Sequence, residues 1–238
     1  MTASPDEAKS RLFVAIDVPD VARARGLVER LGADAVCYKV GLELLFGGGI
    51  QFAQGLKASG KQVFLDMKLL DIPNTVEKAA ANIAALGVDY LTVHGTDRKT
   101  LDAAVKGRGS SQLKLLAVTV LTSLDKADLE QQGISGLDPQ ALVVRRARLA
   151  KQSGFDGVIA SGQEAHAVRA AVGPDFLIVT PGIRLVEGVD RDQARVMTPE
   201  KAIAAGASHL VVGRPITEAA DPASVARRIA GDIAASLR

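Results

Sequence analysis

The sequence predicts an α/β fold, a closed (β/α)8 barrel of the TIM type, from three observations. Eight short aliphatic runs succeed one another along the 238 residues. Segments of helical period, with apolar residues three and four apart, fill the intervals and tend to end at Gly. Hydrophobic residues make up 47% of the chain but aromatic ones only 3%, and Trp is absent. The core is therefore expected to consist mainly of Val, Ile, Leu and Ala, which suits parallel strands covered by helices.

Residues 1–10, MTASPDEAKS, are expected to form a flexible tail ahead of a single barrel domain over 11–238. The first strand is LFVAIDV (12–18), followed by the helical segment DVARARGLVERLG (20–32). VCYKVGL (36–42) and QVFLDMK (62–68) give the second and third strands, and TVEKAAANIAALG (75–87) the helix that follows. YLTVHG (90–95) and LLAVTVLT (115–122) are the fourth and fifth, with DPQALVVRRARLAKQSG (138–154) leading to the sixth, GVIAS (157–161). FLIVTPG (176–182) and HLVVGRP (209–215) complete the set. Such βα alternation argues for a parallel sheet, and eight units in this length argue for closure. A doubly wound open sheet is the competing architecture, because periodicity alone does not show closure.

With 29 Lys plus Arg against 27 Asp plus Glu, the formal charge is +2, which gives no electrostatic footprint for nucleic acid or an anionic membrane. The single Cys37 excludes an intrachain disulfide and a zinc-ligand cluster, and in AVCYKVG it reads as core packing. No run reaches the roughly 18 apolar residues of a membrane helix. The first ten residues lack the apolar middle of a signal peptide, so a cytoplasmic protein is expected.

The residues least suited to a core strand lie where the strands end. Asp17 ends the first run, Lys39 lies near the end of the second, Asp66 and Lys68 end the third and His94 ends the fourth. In a parallel barrel that end is the catalytic face. Asp66 and Lys68, two apart, are expected to point the same way by strand alternation. Neighbouring strands would add Asp17 and Lys39 to make an alternating charge array. Solvated strand ends or a structural ion pair are the plainer explanation for part of this set. Against them stands desolvation, which costs several kcal/mol per buried ion, so a fold needing only stability would do better with Val or Leu. An ammonium flanked by carboxylates is held charged, which suits Lys68 as a proton donor rather than a Schiff-base amine.

A second constellation lies at strands seven and eight, VTPGIR (179–184) and VVGRPIT (211–217). Each sets Gly beside Arg at a strand end, where barrels often cradle phosphate with backbone amides and a guanidinium fork. Neither is a GxxxxGKS loop, so a phosphate monoester rather than a nucleoside triphosphate is implied. The polar stretch RLVEGVDRDQARVMTP (184–199) is longer than most βα loops and reads as a lid over about 184–198, from which Gln193 could reach a ligand. Ordinary turn chemistry and an exposed amide are the alternatives.

Taken together, DMKLLDIPNTV, FVAIDV, YKVGLEL, VTVLTS, PGIR, DQARVMTP and LVVGRPIT resemble, in this order and over nearly the whole chain, the orotidine 5′-monophosphate decarboxylase family, of bacterial type. DxKxxD alone is shared with related phosphosugar barrels; DIPNT and the later segments narrow the likeness. The resemblance implies a barrel of the ribulose-phosphate-binding type, decarboxylation of orotidine 5′-monophosphate without cofactor or metal, and a homodimer with shared active sites. Lys68 is implied as the general acid toward C6 of the pyrimidine, with Asp66 beside the departing carboxylate. Lys39, Asp66, Lys68 and Asp71 form the implied Asp-Lys-Asp-Lys network, Asp71 acting in the neighbouring subunit's site. Asp17 and Lys39 are implied ribose ligands, with Ile72 and Thr75 reaching across the interface and Thr122 and Ser123 near the pyrimidine. Gln193, Gly213 and Arg214 are implied phosphate ligands, and Arg184 contributes by side chain or backbone. Leu185 after PGIR, and Ser208-His209 before the eighth strand, depart from the common pattern away from the chemistry. His94 reads as packing or support, and His166 and His209 as structural or exposed. The alternatives are a metal-dependent phosphosugar aldolase or epimerase, with Asp66 on the metal, and a non-catalytic phosphoribosyl-ligand binder.

Overall fold

The computed structural model describes residues 4–185 and 197–237. Its elements run α1 (Pro5–Ser10), β1 (Leu12–Ile16), α2 (Val21–Leu31), β2 (Cys37–Gly41), α3 (Leu42–Leu44), α4 (Ile50–Ala58), β3 (Gln62–Leu69), α5 (Pro73–Ala85), β4 (Tyr90–His94), α6 (Arg98–Arg108) and β5 (Lys114–Val118). They continue α7 (Lys126–Gln131), α8 (Pro139–Gln152), β6 (Gly157–Ile159), α9 (Ala165–Val172), β7 (Leu177–Thr180), α10 (Pro199–Ala204), β8 (His209–Val212), α11 (Arg214–Thr217) and α12 (Pro222–Ser236). Helix starts are chemically marked: the side chains of Asp20, Asp97, Asp138 and Asp221 each accept a backbone N–H from the first turn. These caps satisfy donors that the helix itself leaves unpaired.

All strands pair in parallel in the order β1 to β8, and β1 pairs back onto β8 through Leu12↔Leu210. The sheet is thus closed, and the open doubly wound alternative is excluded. Strand alternation divides the core into two layers. Val14, Ile16, Val40, Leu65, Leu91 and Val93 face the helices. Phe13, Ala15, Cys37, Phe64, Tyr90, Leu116, Val179 and Val211 fill the barrel itself.

The expected aliphatic core describes the outer layer but not the inner one. Inside, Phe13 meets Phe64 and Tyr90 edge-on, with ring centroids 5.2 and 5.0 Å apart. His209 stacks on Phe13 at 5.5 Å. Large flat rings fill the barrel axis, where short aliphatics would leave voids. Burial foremost, with Arg11 and Lys114 nearby, pushes the His209 imidazole down to about 3, so it is a neutral ring against the inner layer. Cys37 is buried in the same layer, and burial pushes its thiol up to about 12, consistent with packing rather than reactivity.

The expected tail is partly helical. In α1 the Ser4 hydroxyl accepts the Glu7 N–H at 3.1 Å, and the buried Ala8 belongs to the outer core, where α1 packs on α12. The rest of the N-terminal face is tied by a recurring device. Asp89 Oδ2 accepts the Val63 N–H at 2.7 Å, Asp156 Oδ2 that of Leu115 at 2.8 Å, and Ser208 Oγ that of Ile178 at 2.8 Å. Each of these residues follows a Gly with positive φ by two positions: Gly87, Gly154 and Gly206. Among the described residues no helix is long and apolar enough to cross a membrane.

Candidate active site

The site begins with an irregularity in β3. Phe64 and Leu65 pair with Tyr90 and Leu91, but the next paired residues are Leu69 and Val93, so four steps along β3 match two along β4. Two extra residues bulge out, and bulges re-aim side chains at barrel rims. Within the bulge Lys68 takes φ +48°, the one positive value at a non-glycine among the described residues. A left-handed Lys costs on the order of 1–3 kcal/mol and persists only where its surroundings hold it. Simple alternation, expected to bring Asp66 and Lys68 together, is therefore interrupted between them; the bulged backbone makes the contact instead.

That contact is part of a chain of charges. Lys68 Nζ lies 2.8 Å from Asp66 Oδ2, Lys39 Nζ lies 3.3 Å from the same oxygen, and Lys39 Nζ lies 3.0 Å from Asp17 Oδ1. The series Asp17–Lys39–Asp66–Lys68 spans β1, β2 and β3. The Lys39 and Asp66 side chains are only 9% and 13% exposed, so their mutual attraction is poorly screened. Burial opposes the charge on Lys39, but Asp66 and Asp17 outweigh it and hold its pKa above the ordinary lysine value. Burial likewise opposes the Asp66 carboxylate, and Lys39, Lys68 and a hydroxyl donor, Thr92, outweigh it and hold its pKa below the usual range. Gly41 makes room for the array, since a Cβ there would fall 2.9 Å from Lys39 Nζ and 3.2 Å from Asp17 Oδ1.

The four charges form one wall of a cavity of about 370 Å³ at the C-terminal end of the strands. Ala15, Phe64, Val118, Ile159 and Val211 make its apolar floor, while Thr122, Pro181, Gly182, Arg184, Gly213 and Arg214 line other parts of the wall. Arg184 is buried; its Nη1 donates to the Ile183 carbonyl at 3.0 Å and its backbone N–H to that of Met197, also at 3.0 Å. Arg214 is exposed and opens α11 directly after Gly213. A Cβ at Gly213 would meet only ordinary contacts, the nearest at 3.6 Å, so packing does not require Gly there.

Other expected residues stand apart. Asp71 is exposed and its Oδ1 accepts the Ile72 N–H at 2.6 Å, outside the charge series. Ile72 is 67% exposed, Thr75 is exposed, and neither lines the cavity. Thr122 lines it, whereas Ser123 is exposed and does not. Gln193, and most of the lid expected over 184–198, lie outside the described residues. His94 is half-buried; burial first, then Lys68 and Arg146, lower its pKa against the opposing pull of Asp66, so the ring is neutral near pH 7. It does not line the cavity. Among the described residues no group of three or more His, Cys, Asp or Glu could hold a metal ion.

Sequence reasoning missed Thr92 and Gly41. Thr92 Oγ1 donates to Asp66 Oδ1 and accepts the Lys68 N–H, both at 2.9 Å. Its position two residues after the inward-facing Tyr90 was the available signal.

Comparison with known proteins agrees with this geometry. Residues 10–229 match the model of the Orotidine 5'-phosphate decarboxylase / HUMPS family. A protein named orotidine 5'-phosphate decarboxylase from Rhodopseudomonas palustris (strain BisA53) is 50% identical over 229 residues, covering 96% of this chain and 97% of that one. One of the same name from Bradyrhizobium sp. (strain BTAi1 / ATCC BAA-1182) is 52% identical over 229 residues, covering 96% and 93%. The crystal structure of orotidine 5'-phosphate decarboxylase from Lactobacillus acidophilus superposes with a TM-score of 0.83 at 37% identity, covering 93% of this chain and 98% of that one. A match spanning nearly the whole barrel, together with charges at the strand ends where such a site lies, makes this chain a member of the orotidine 5'-phosphate decarboxylase family.

Proposed function

We propose that this protein is a carboxy-lyase that converts orotidine 5′-monophosphate to uridine 5′-monophosphate, the last step of de novo pyrimidine nucleotide synthesis, in the cytoplasm and without a cofactor. The observation that carries the proposal is the Lys68 ammonium, held 2.8 Å from Asp66 on the wall of a cavity large enough for a nucleotide base and ribose. In the reaction the bond between C6 and the carboxylate breaks, carbon dioxide leaves, and the electron pair remaining on C6 takes a proton from Lys68 Nζ.

Asp66 sits beside the departing carboxylate and raises the energy of the bound substrate more than that of the transition state, in which negative charge leaves its side. Lys39 keeps Asp66 ionised while, with Asp17, it binds ribose hydroxyls. Thr122 and Ser123 approach the pyrimidine. Gly213, Arg214 and Arg184, with Gln193 from outside the described residues, take the phosphate, and this remote binding energy organises the charges around C6.

The active unit is a homodimer in which Asp71, Ile72 and Thr75 complete the partner's site. Their exposure in a single chain supports this, as does the apolar surface that follows β2 and β3: Leu42, Phe46, Leu70 and Ile72 are 46%, 86%, 56% and 67% exposed.

Two ammonium groups on one oxygen of Asp66 disfavour a dication there, which separates this reading from a metal-dependent phosphosugar enzyme. The test is loss of orotidylate absorbance after exhaustive chelation. Undiminished turnover is expected. Turnover abolished by the chelator would point to the metal enzyme, and nucleotide binding without turnover to a non-catalytic binder.

A further inference from the structure

Thr92 has no place in the functional scheme above, yet it is completely buried and stands against the two residues that scheme depends on most. It lies on β4 between Leu91 and Val93, whose side chains face the outer core, and two residues after Tyr90, which fills the barrel. Its side chain therefore faces the third strand just below the cavity. At this level the β3–β4 ladder is broken, because Asp66, Met67 and Lys68 have no paired residue between Leu65↔Leu91 and Leu69↔Val93.

A backbone N–H released from a ladder needs another acceptor. The Thr92 hydroxyl supplies one for Lys68, at 2.9 Å. The same oxygen uses its single proton on Asp66 Oδ1, also at 2.9 Å, which leaves Oδ2 to the two lysines. A hydroxyl can donate once and accept through its lone pairs, so one atom fixes the backbone of the proposed acid and the side chain of its carboxylate partner.

We propose that Thr92 is a positioning residue: its hydroxyl clamps the Lys68 amide to the Asp66 carboxylate and so holds the left-handed backbone that aims the Lys68 ammonium into the cavity. The proposal rests on the decarboxylase reading for its kinetic consequences, but its structural content stands apart from that reading. A merely structural threonine would contribute its β-branched shape to the strand, and Val has the same shape. Removing the hydroxyl alone thus separates the two roles.

Thr92→Val is expected to lower kcat on the order of 100-fold, the cost of misplacing a reacting group by about 1 Å, while KM stays close to that of the unaltered protein. Thr92→Ser, which keeps the hydroxyl, is expected to recover most of the loss. Since the hydroxyl helps hold the Asp66 carboxylate ionised, the acid limb of kcat should move to higher pH in Thr92→Val and stay in place in Thr92→Ser. If Thr92→Val does not fold, Thr92→Ser and Thr92→Ala make the same comparison, since they differ only in the hydroxyl. Equal kcat in the hydroxyl-bearing and hydroxyl-lacking variants would overturn the proposal, as would an effect confined to KM. Absence of orotidylate turnover by the unaltered protein would instead sink the functional reading. In that case the crystal structure of Thr92→Val decides: a Lys68 that keeps its positive φ and its 2.8 Å contact with Asp66 contradicts the clamp, and a Lys68 that relaxes supports it.

Discussion

Both ends of this barrel carry carboxylates paired with cations, but they use their oxygens differently. At the N-terminal end Asp89 meets Lys57 at 2.8 Å and Asp156 meets Arg108 at 2.8 Å. Each of those carboxylates also accepts the N–H of a neighbouring strand. At the C-terminal end Asp66 receives, among the described residues, side-chain donors from Lys39, Lys68 and Thr92, and the ions link into a series rather than closing as separate pairs. The Lys57 and Asp89 side chains are 28% and 29% exposed, against 9% and 13% for Lys39 and Asp66. An acid spent on backbone amides fastens one strand to the next, whereas Asp66 is held by side chains at a cavity wall.

The comparison is sharpest at the lysines. Lys68→Ala is expected to lower kcat by roughly 10²- to 10⁴-fold, the usual worth of a positioned general acid, and to leave the unfolding midpoint nearly unchanged, because this side chain is 33% exposed. Mixing Lys68→Ala with an inactive Asp71→Ala chain should restore activity in hybrid dimers, one complete site being assembled from two chains. Hybrids that form but stay inactive would place Asp71 in its own subunit's site.

Asp66→Asn should act on both stability and activity. It leaves the buried Lys39 with Asp17 as its one remaining counter-ion, so a loss of stability smaller than the about 3–5 kcal/mol of a fully orphaned buried ion is expected, measurable by urea unfolding. The pH dependence follows from the sign of the shift. The folded pKa of Asp66 lies below the ordinary 3.8, so its contribution is complete above that value and is lost as pH falls through the lower one. Lys39, raised above 10.5, contributes below that value and ceases to as pH rises through the higher one. The Asn variant should therefore lose stability less steeply in acid than the unaltered chain; equal slopes would show that Asp66 carries no such linkage.

The smallest effect is expected at the other end. Lys57→Ala removes a half-solvated partner while Asp89 keeps the Val63 N–H. A loss within about 1 kcal/mol and unchanged kcat are expected. A large kinetic effect would erase the distinction between the two ends.

The strands, their order and the charged residues at their ends were legible in the sequence because period-two and period-3.6 patterns are local. What escaped was set by contacts between distant segments. QVFLDMK reads as an unbroken strand, and only the register against Tyr90–His94 reveals the bulge and the left-handed Lys68. Thr92 looks like any β-branched strand residue until its hydroxyl is seen between Asp66 and the Lys68 amide. His209 carries no motif, and its burial follows from Phe13 and Tyr90, more than a hundred residues earlier. The helix at Pro5–Ser10 depends on α12, at the opposite end of the sequence. The Gly-Arg pairs after β7 and β8 were visible, yet the tie between Arg184 and Met197 was not, since it joins residues thirteen apart in the sequence.

The most direct test is a crystal structure with uridine 5′-monophosphate bound. The account predicts Lys68 Nζ within about 3–3.5 Å of C6, the separation of reacting atoms in a productive complex, still paired to Asp66, with the phosphate at Gly213 and Arg214. A pyrimidine bound elsewhere, or a Lys68 amine turned to solvent away from C6, would contradict it.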